Sequence, residues 1–501
     1  NPVLYSDYSD PDVIRVGSKY YMICSEFAWM GMPILESRDM VNWTIAGQLY
    51  NCLDFPEYDH FQRYGRGSWA PAIRYHDNKF FVYFCTPDEG LFLTTAENPA
   101  GPWSQLQLVH SGPRWEDPCP LWDSAGNAWL GHSMKGAGPI IIHKMNPGGT
   151  ALLDSGVTVY TGPTAEGTKL FQQNGYYYIS IPEGGVSRGW QTILRARNIY
   201  GPYEKKVVLE QGTTTVNGPH QGALVATPNN EWWFYHFQSD GAMGRVLHLQ
   251  PVRWQEGWPC IGVDIDHNGI GEPVYVWKKP HIDDSLPPYP INAPQTDDEF
   301  SSSTLGLQWE SNHNPDPSAW SLTERPGWLQ LHAEKADSIW RAPNTFTQKV
   351  MGATGNITIK LDASRLADGQ QAGFCSMSAA YTLFGVKKEK GRLLLFFDDN
   401  GRSGDYREQP LDKPIAYLKI RLDIKAGLNL CTFSTDERHW QTLGTPFKTQ
   451  FGFWKGTRVG LFSFNTEQPA GVAAFDWFHY EYDGPRSSSQ QPQPRHSQSI
   501  N

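Results

Sequence analysis

The chain of 501 residues contains no run of 18 apolar residues, so nothing in it reads as a membrane-spanning helix. It has no CxxC pair. Its seven cysteines (Cys24, Cys52, Cys85, Cys119, Cys260, Cys375 and Cys431) stand singly, a pattern of neither a zinc site nor a disulfide framework. Basic clusters are also missing. Nothing exceeds Lys387-Lys388-Glu389-Lys390, and 42 Lys+Arg face 52 Asp+Glu for a net charge of −10, which argues against nucleic acid as a partner. No long segment holds a 3.6-residue apolar period, so helices are not expected. The chain opens at Asn1-Pro2 without Met, as a processed or trimmed N-terminus would. The expected location is periplasmic or secreted, with the cytoplasm as the alternative.

Aromatic residues are plentiful: 20 Trp, 23 Tyr and 24 Phe. Strand-rich folds use such residues, and their rings also stack on the apolar faces of sugars. Five aromatic runs recur at intervals of roughly 50 to 60 residues, the spacing of propeller blades. They are Lys19–Ser25, Lys79–Cys85, Asn127–Ser133, Gly175–Ser180 and Glu231–Phe237. Asp10, Asp117, Glu166 and His220 lie upstream of four of them, and Trp69-Ala70-Pro71 lies upstream of the second. In a propeller one recurring position places its side chains around one axis. Three carboxylates converging there fit acid/base hydrolysis of a neutral substrate.

The predicted organisation is all-β. A five-bladed β-propeller spans 1–285, a linker 286–296 ends the Pro-rich stretch Asp283–Thr296, and a concanavalin-like β-sandwich spans 297–484. Candidate sandwich strands are Trp328–His332, Ile357–Leu361, Leu393–Phe397, Ile415–Ile424, Val459–Phe464 and Gly471–Tyr482. The Ser/Gln/Pro-rich tail 485–501 has too few apolar residues for a core and is expected to be disordered.

Asn1-Pro2-Val3-Leu4, Ser9-Asp10-Pro11-Asp12-Val13 and Tyr20-Tyr21 resemble the opening of glycoside hydrolase family 43. Ser68-Trp69-Ala70-Pro71, Glu116-Asp117-Pro118, Ala165-Glu166-Gly167 and Pro219-His220-Gln221-Gly222 agree in order and spacing. Asn312-His313-Asn314-Pro315 and Trp340-Arg341-Ala342-Pro343-Asn344-Thr345 resemble the C-terminal sandwich of that family's β-xylosidases and α-L-arabinofuranosidases. The resemblance implies an inverting mechanism, with Asp10 as general base, Glu166 as general acid and Asp117 raising the proton affinity of Glu166 and orienting it. Strand alternation is expected to send Glu116 to the face opposite Asp117. Arg245 is expected to bond a sugar hydroxyl and hold carboxylates, Trp69 to form a platform under the terminal sugar, and Phe27, Trp29 and Trp190, in loops, to wall the pocket. His220 is expected on the axis, near a structural calcium ion held mostly by waters; no cofactor is required.

The expected activity is exo-acting release of terminal α-L-arabinofuranosyl or β-D-xylosyl residues from plant cell-wall polysaccharides or their fragments, with a lean to the first. The segment Asn51–Gly67 is expected to close one end of the channel. The alternatives are a strict β-xylosidase, an endo-arabinanase and, in another class, a non-catalytic carbohydrate-binding protein. A lectin needs aromatics and hydrogen bonders but no paired acid and base.

Overall fold

A computed structural model describes residues 1–55, 58, 62–282, 289–400 and 404–485. Part of the predicted linker and nearly all of the predicted disordered tail lie outside these residues. The chain before residue 262 forms five antiparallel sheets arranged as blades. Their innermost strands are Asp12–Val16, Trp69–His76, Trp115–Trp122, Lys169–Gln173 and His220–Ala226. The aromatic runs are the second strands, buried between blades: Lys19–Ile23, Lys79–Thr86, Ala128–Met134, Tyr176–Glu183 and Trp232–Ser239. The ring closes by joining its two ends. N-terminal Leu4–Asp7 pairs with Arg245–Gln255 of the fifth blade, bringing Leu4 opposite Leu247.

A left-handed residue stands at the inner edge of every blade. Asp10 (φ 54°), Ala70 (φ 31°), Asp117 (φ 53°), Gly167 (φ 58°) and Gln221 (φ 56°) all have positive φ. In blades two, three and five the strand register also shifts there. Such bulges interrupt alternation and re-aim side chains, here towards the axis. Aspartate tolerates this conformation better than most residues. At Gly167 an added Cβ would lie 2.4 Å from Pro182 Cδ, so side-chain size also forbids substitution.

The second half is a two-sheet sandwich whose inward residues alternate with outward ones. In Thr354–Asp362 the inward set is Ile357, Ile359 and Leu361, all fully buried. The halves share a sheet: Trp29–Met30 of the first blade pairs with Glu310–Asn312 of the sandwich. The Asn312-His313-Asn314 motif clamps the segment before Trp69. Tyr64 donates from its hydroxyl to Asn312 Oδ1 (2.6 Å), Arg63 N–H donates to His313 Nε2 (3.0 Å), and Asn314 bonds both backbone groups of Leu53.

Candidate active site

Asp10 enters the pocket from the left-handed residue before the first inner strand. It is 4 % exposed, and both its oxygens are held. Arg245 donates to Oδ1 (2.8 Å) and Ser25 Oγ donates to Oδ2 (2.6 Å). Ser25 Oγ in turn accepts the Ala70 N–H (2.7 Å). Two strong donors fix the carboxylate's orientation.

Glu166 lies one residue before the left-handed Gly167 of blade four. It is half-buried, and no described residue donates to its carboxyl. Burial first, then the negative charges of Glu116 and Asp10, raise its pKa from 4.5 to about 7, against the pull of Arg245. A carboxyl group so placed remains protonated near neutral pH, as a general acid must.

Asp117 accepts the Gly167 N–H and lies 3.5 Å from Ser133 Oγ, which ties the third blade to the acid's own backbone. Burial, then Glu116, Glu166 and Asp10, push its pKa well above the usual carboxylate range. Glu116 was expected on the opposite face. The bulge between Glu116 and Cys119 breaks the alternation that expectation relied on, and the charge of Glu116 raises the pKa of both Asp117 and Glu166. Its Oε2 accepts the N–H groups of Gly136 (3.0 Å) and Ala137 (2.7 Å). Glu116, rather than Asp117, is the foremost charge raising Glu166.

Arg245 is 5 % exposed, its guanidinium 4.7 Å from the Phe237 ring centre and 5.9 Å from those of Phe27 and Trp454. Its Nε has no partner among the described residues. Trp69 is half-buried, anchored by Nε1–H to Gly65 O (2.9 Å), and meets Phe27 edge-on at 6.3 Å. Phe27, Trp69 and Arg245 thus gather beside the acids.

Trp29 does not wall the pocket. It is in a strand rather than a loop, packs on Tyr64 and Arg458, and belongs to an apolar cluster filled mainly from the sandwich. Trp190 also opens a strand, Trp190–Ala196, where its ring covers Gly184. The short-range pattern could not separate Trp29 from Phe27, because both are aromatics beside turns.

His220 is fully buried at the start of the fifth inner strand, and neither ring nitrogen has a partner among the described residues. Burial, then Arg245, lowers its pKa to about 3, so the ring is neutral. An orphaned neutral imidazole can bind water or a water-held cation. Among the described residues no three His, Cys, Asp or Glu side chains gather as a metal site. Calcium prefers several oxygen ligands, so the described residues offer no protein cage for it.

Sequence reasoning missed the sandwich's own contribution. Gly452 and Lys455 exchange backbone hydrogen bonds (both 3.0 Å) across a hairpin turn whose tip is Phe453 (φ 55°) and Trp454 (φ 67°). Such turns normally carry Asn-Gly, and a bulky residue at positive φ costs about 1–3 kcal/mol. Phe453 stacks on Tyr64 at 5.1 Å, while Trp454 stands over Arg245. Both are about half exposed, so the strained tip presents two aromatic rings at the pocket mouth. The run Gly452-Phe453-Trp454-Lys455-Gly456 was the available signal.

Comparison with known proteins agrees with this architecture. The model for glycosyl hydrolases family 43 matches residues 1–259. The β-xylosidase C-terminal concanavalin A-like domain matches 297–481. A putative β-xylosidase from Xylanibacter ruminicola is 50 % identical over 455 residues, covering 90 % of this chain and 84 % of its own. A β-xylosidase from Formosa agariphila is 38 % identical over 548 residues, covering 98 % and 91 %. A non-reducing-end α-L-arabinofuranosidase from Bacteroides ovatus is 27 % identical, covering 96 % and 94 %. The crystal structure of a xylan β-1,4-xylosidase from Bacillus halodurans superposes with a TM-score of 0.84 at 26 % identity, covering 96 % and 99 %. The propeller, the concanavalin-like sandwich and both family matches together make this chain a glycosidase that belongs to glycoside hydrolase family 43.

Proposed function

We propose that the protein is an exo-acting, inverting glycosidase that releases terminal β-D-xylosyl residues, with α-L-arabinofuranosyl residues as the second substrate class. The observation that carries the mechanism is the contrast between two carboxyl groups. Asp10 is locked by two donors, whereas Glu166 has no donor among the described residues and is raised to about 7. Asp10, as the anion, removes a proton from water. The water oxygen forms a bond to the anomeric carbon as the bond to the leaving oxygen breaks. Glu166 gives its proton to that oxygen. The product is the sugar with inverted configuration. Arg245 holds Asp10 through Nη1 and has its Nη2 group left for a sugar hydroxyl, and Phe27 and Trp69 supply ring faces.

The two relatives of higher identity named above are a putative β-xylosidase and a β-xylosidase, which supports xylosyl over the arabinofuranosyl lean of the sequence. The arabinofuranosidase relative supports the second class. Exo action is supported by the hairpin tip at the mouth and by the clamped segment before Trp69. A calcium ion near His220 would take one imidazole nitrogen from the chain and waters for the rest. A rise in melting temperature on adding calcium to chelator-treated protein tests it. Initial rates on nitrophenyl xyloside, arabinofuranoside and galactoside test the sugar. Proton NMR of the first-formed sugar tests the stereochemistry, and a retained anomer overturns the mechanism.

A further inference from the structure

Six buried charges join the two domains against the two residues that hold the proposed base. Asp7 and Glu26 come from the propeller, and Glu310, Lys349, Lys455 and Arg458 from the sandwich. Lys349 pairs with Glu26 and Glu310 (3.3 Å to the latter), and Arg458 pairs with the same two carboxylates. Lys455 differs. Its Nζ lies 3.4 Å from Asp7 Oδ2 and 3.3 Å from Glu26 Oε2, and it donates to the Ser25 carbonyl (3.0 Å). The next residue, Gly456, donates its N–H to Asp7 Oδ2 (3.0 Å). Asp7 Oδ1 accepts the Arg245 N–H (2.9 Å). Gly456 also admits no side chain, since a Cβ there would lie 2.5 Å from Met243 O.

Both residues that hold Asp10 are therefore fixed by one dipeptide of the other domain. Ser25 is held through its carbonyl by Lys455, and Arg245 through Asp7 by Lys455 and Gly456. We propose that Lys455 is a positioning residue for hydrolysis: from the sandwich it sets the backbone of Ser25 and the Asp7 link to Arg245, and through them the orientation of Asp10. This rests on Asp10 being the general base. The sandwich becomes part of the catalytic apparatus without supplying an acid or base. Three anions face three cations in the cluster, so Lys349 is a control of equal charge that lacks the bond to Ser25.

The experiment compares kcat and KM for Lys455→Met, Lys349→Met, Ser25→Ala, Lys455→Met/Ser25→Ala and Asp10→Ala. Lys455→Met should lower kcat on the order of 10–100-fold with KM changed less than about threefold, since displacement of a reacting group acts on the chemical step. Lys349→Met should retain most of kcat. The double variant should lose much less than the product of the single losses, because both act on one contact chain. Should Lys455→Met not fold, the charge-balanced Lys455→Met/Glu26→Gln is read in its place, with the same expected loss. Unimpaired kcat in the Lys455 variant, an equal loss in Lys349→Met, or multiplicative losses in the double variant overturn the proposal. If Asp10→Ala remains active, the base assignment falls and the positioning role with it. If Asp10→Ala is inactive while Lys455→Met is unimpaired, only the positioning role falls.

Discussion

Glu116→Gln gives the sharpest test of how the acid is tuned. Burial, Glu116 and Asp10 lift Glu166 from 4.5 to about 7. That lift is worth about 3 kcal/mol, since one pKa unit is about 1.4 kcal/mol. The acid is protonated and competent below about pH 7, and above it kcat/KM falls as the proton is lost. Glutamine keeps an acceptor for the Gly136 and Ala137 amides but removes the charge. Glu116 is the first of the charges after burial, so removing it lowers the pKa of Glu166 and the alkaline limb should move to lower pH. At pH 8 kcat/KM should drop about 3–10-fold, while at pH 5.5, where Glu166 stays protonated, it should change little. The assay is kcat/KM on xylobiose from pH 4.5 to 9. A weak leaving group keeps the acid in the rate, which a nitrophenyl substrate does not. An alkaline limb that stays fixed or moves up refutes the electrostatic reasoning. Asp117 is itself pushed up by burial and its neighbours, so Asp117→Asn should shift the limb less than Glu116→Gln, whereas Asp117→Ala should also lower activity because it loses the acceptor of the Gly167 N–H.

Asp10→Ala and Glu166→Ala should each lower kcat on the order of 10²–10⁴-fold with the fold intact by circular dichroism. A dinitrophenyl leaving group should rescue Glu166→Ala and not Asp10→Ala; equal rescue contradicts the assigned roles. Truncation after Asp284 should give insoluble protein, because it exposes the face holding Trp29 and strips Glu26 of all three cations; a soluble, active fragment would show that the domains are independent. Burial holds His132 and His220 down to about 3 and His236 to about 4. Their folded pKa values lie below the unfolded 6.5, so their contribution is full above pH 6.5 and is lost as pH falls towards 3. Each should cost up to about 1.4 kcal/mol per pH unit in that window. Urea unfolding of the wild type and of His132→Gln at pH 7 and pH 5 isolates this slope from the opposite one of the raised carboxyl groups, and an equal change in both proteins contradicts it.

The fold class was legible because it is written in local periodicity. Aromatic second strands repeat at blade spacing, and Ile357, Ile359 and Leu361 alternate as a one-sided strand must. Asp10, Asp117, Glu166 and His220 were legible because one blade position maps to one axis. The family motifs then chose among carboxylates that spacing alone left open.

What the sequence by itself determined was therefore the repeat, the two-part β architecture and the set of carboxyl groups. Only the tertiary structure decided where side chains point once alternation fails. The bulge beside Glu116 brings that charge to bear on the acid, and pairing with the sandwich takes Trp29 out of the pocket. Tertiary structure alone also joined residues hundreds of positions apart, such as Lys455 to Ser25 and Trp454 to Arg245. Local pattern reports which face of a strand is apolar. It carries no information about which distant chain covers that face, because such contacts are fixed by the packing of whole sheets and not by spacing along the chain.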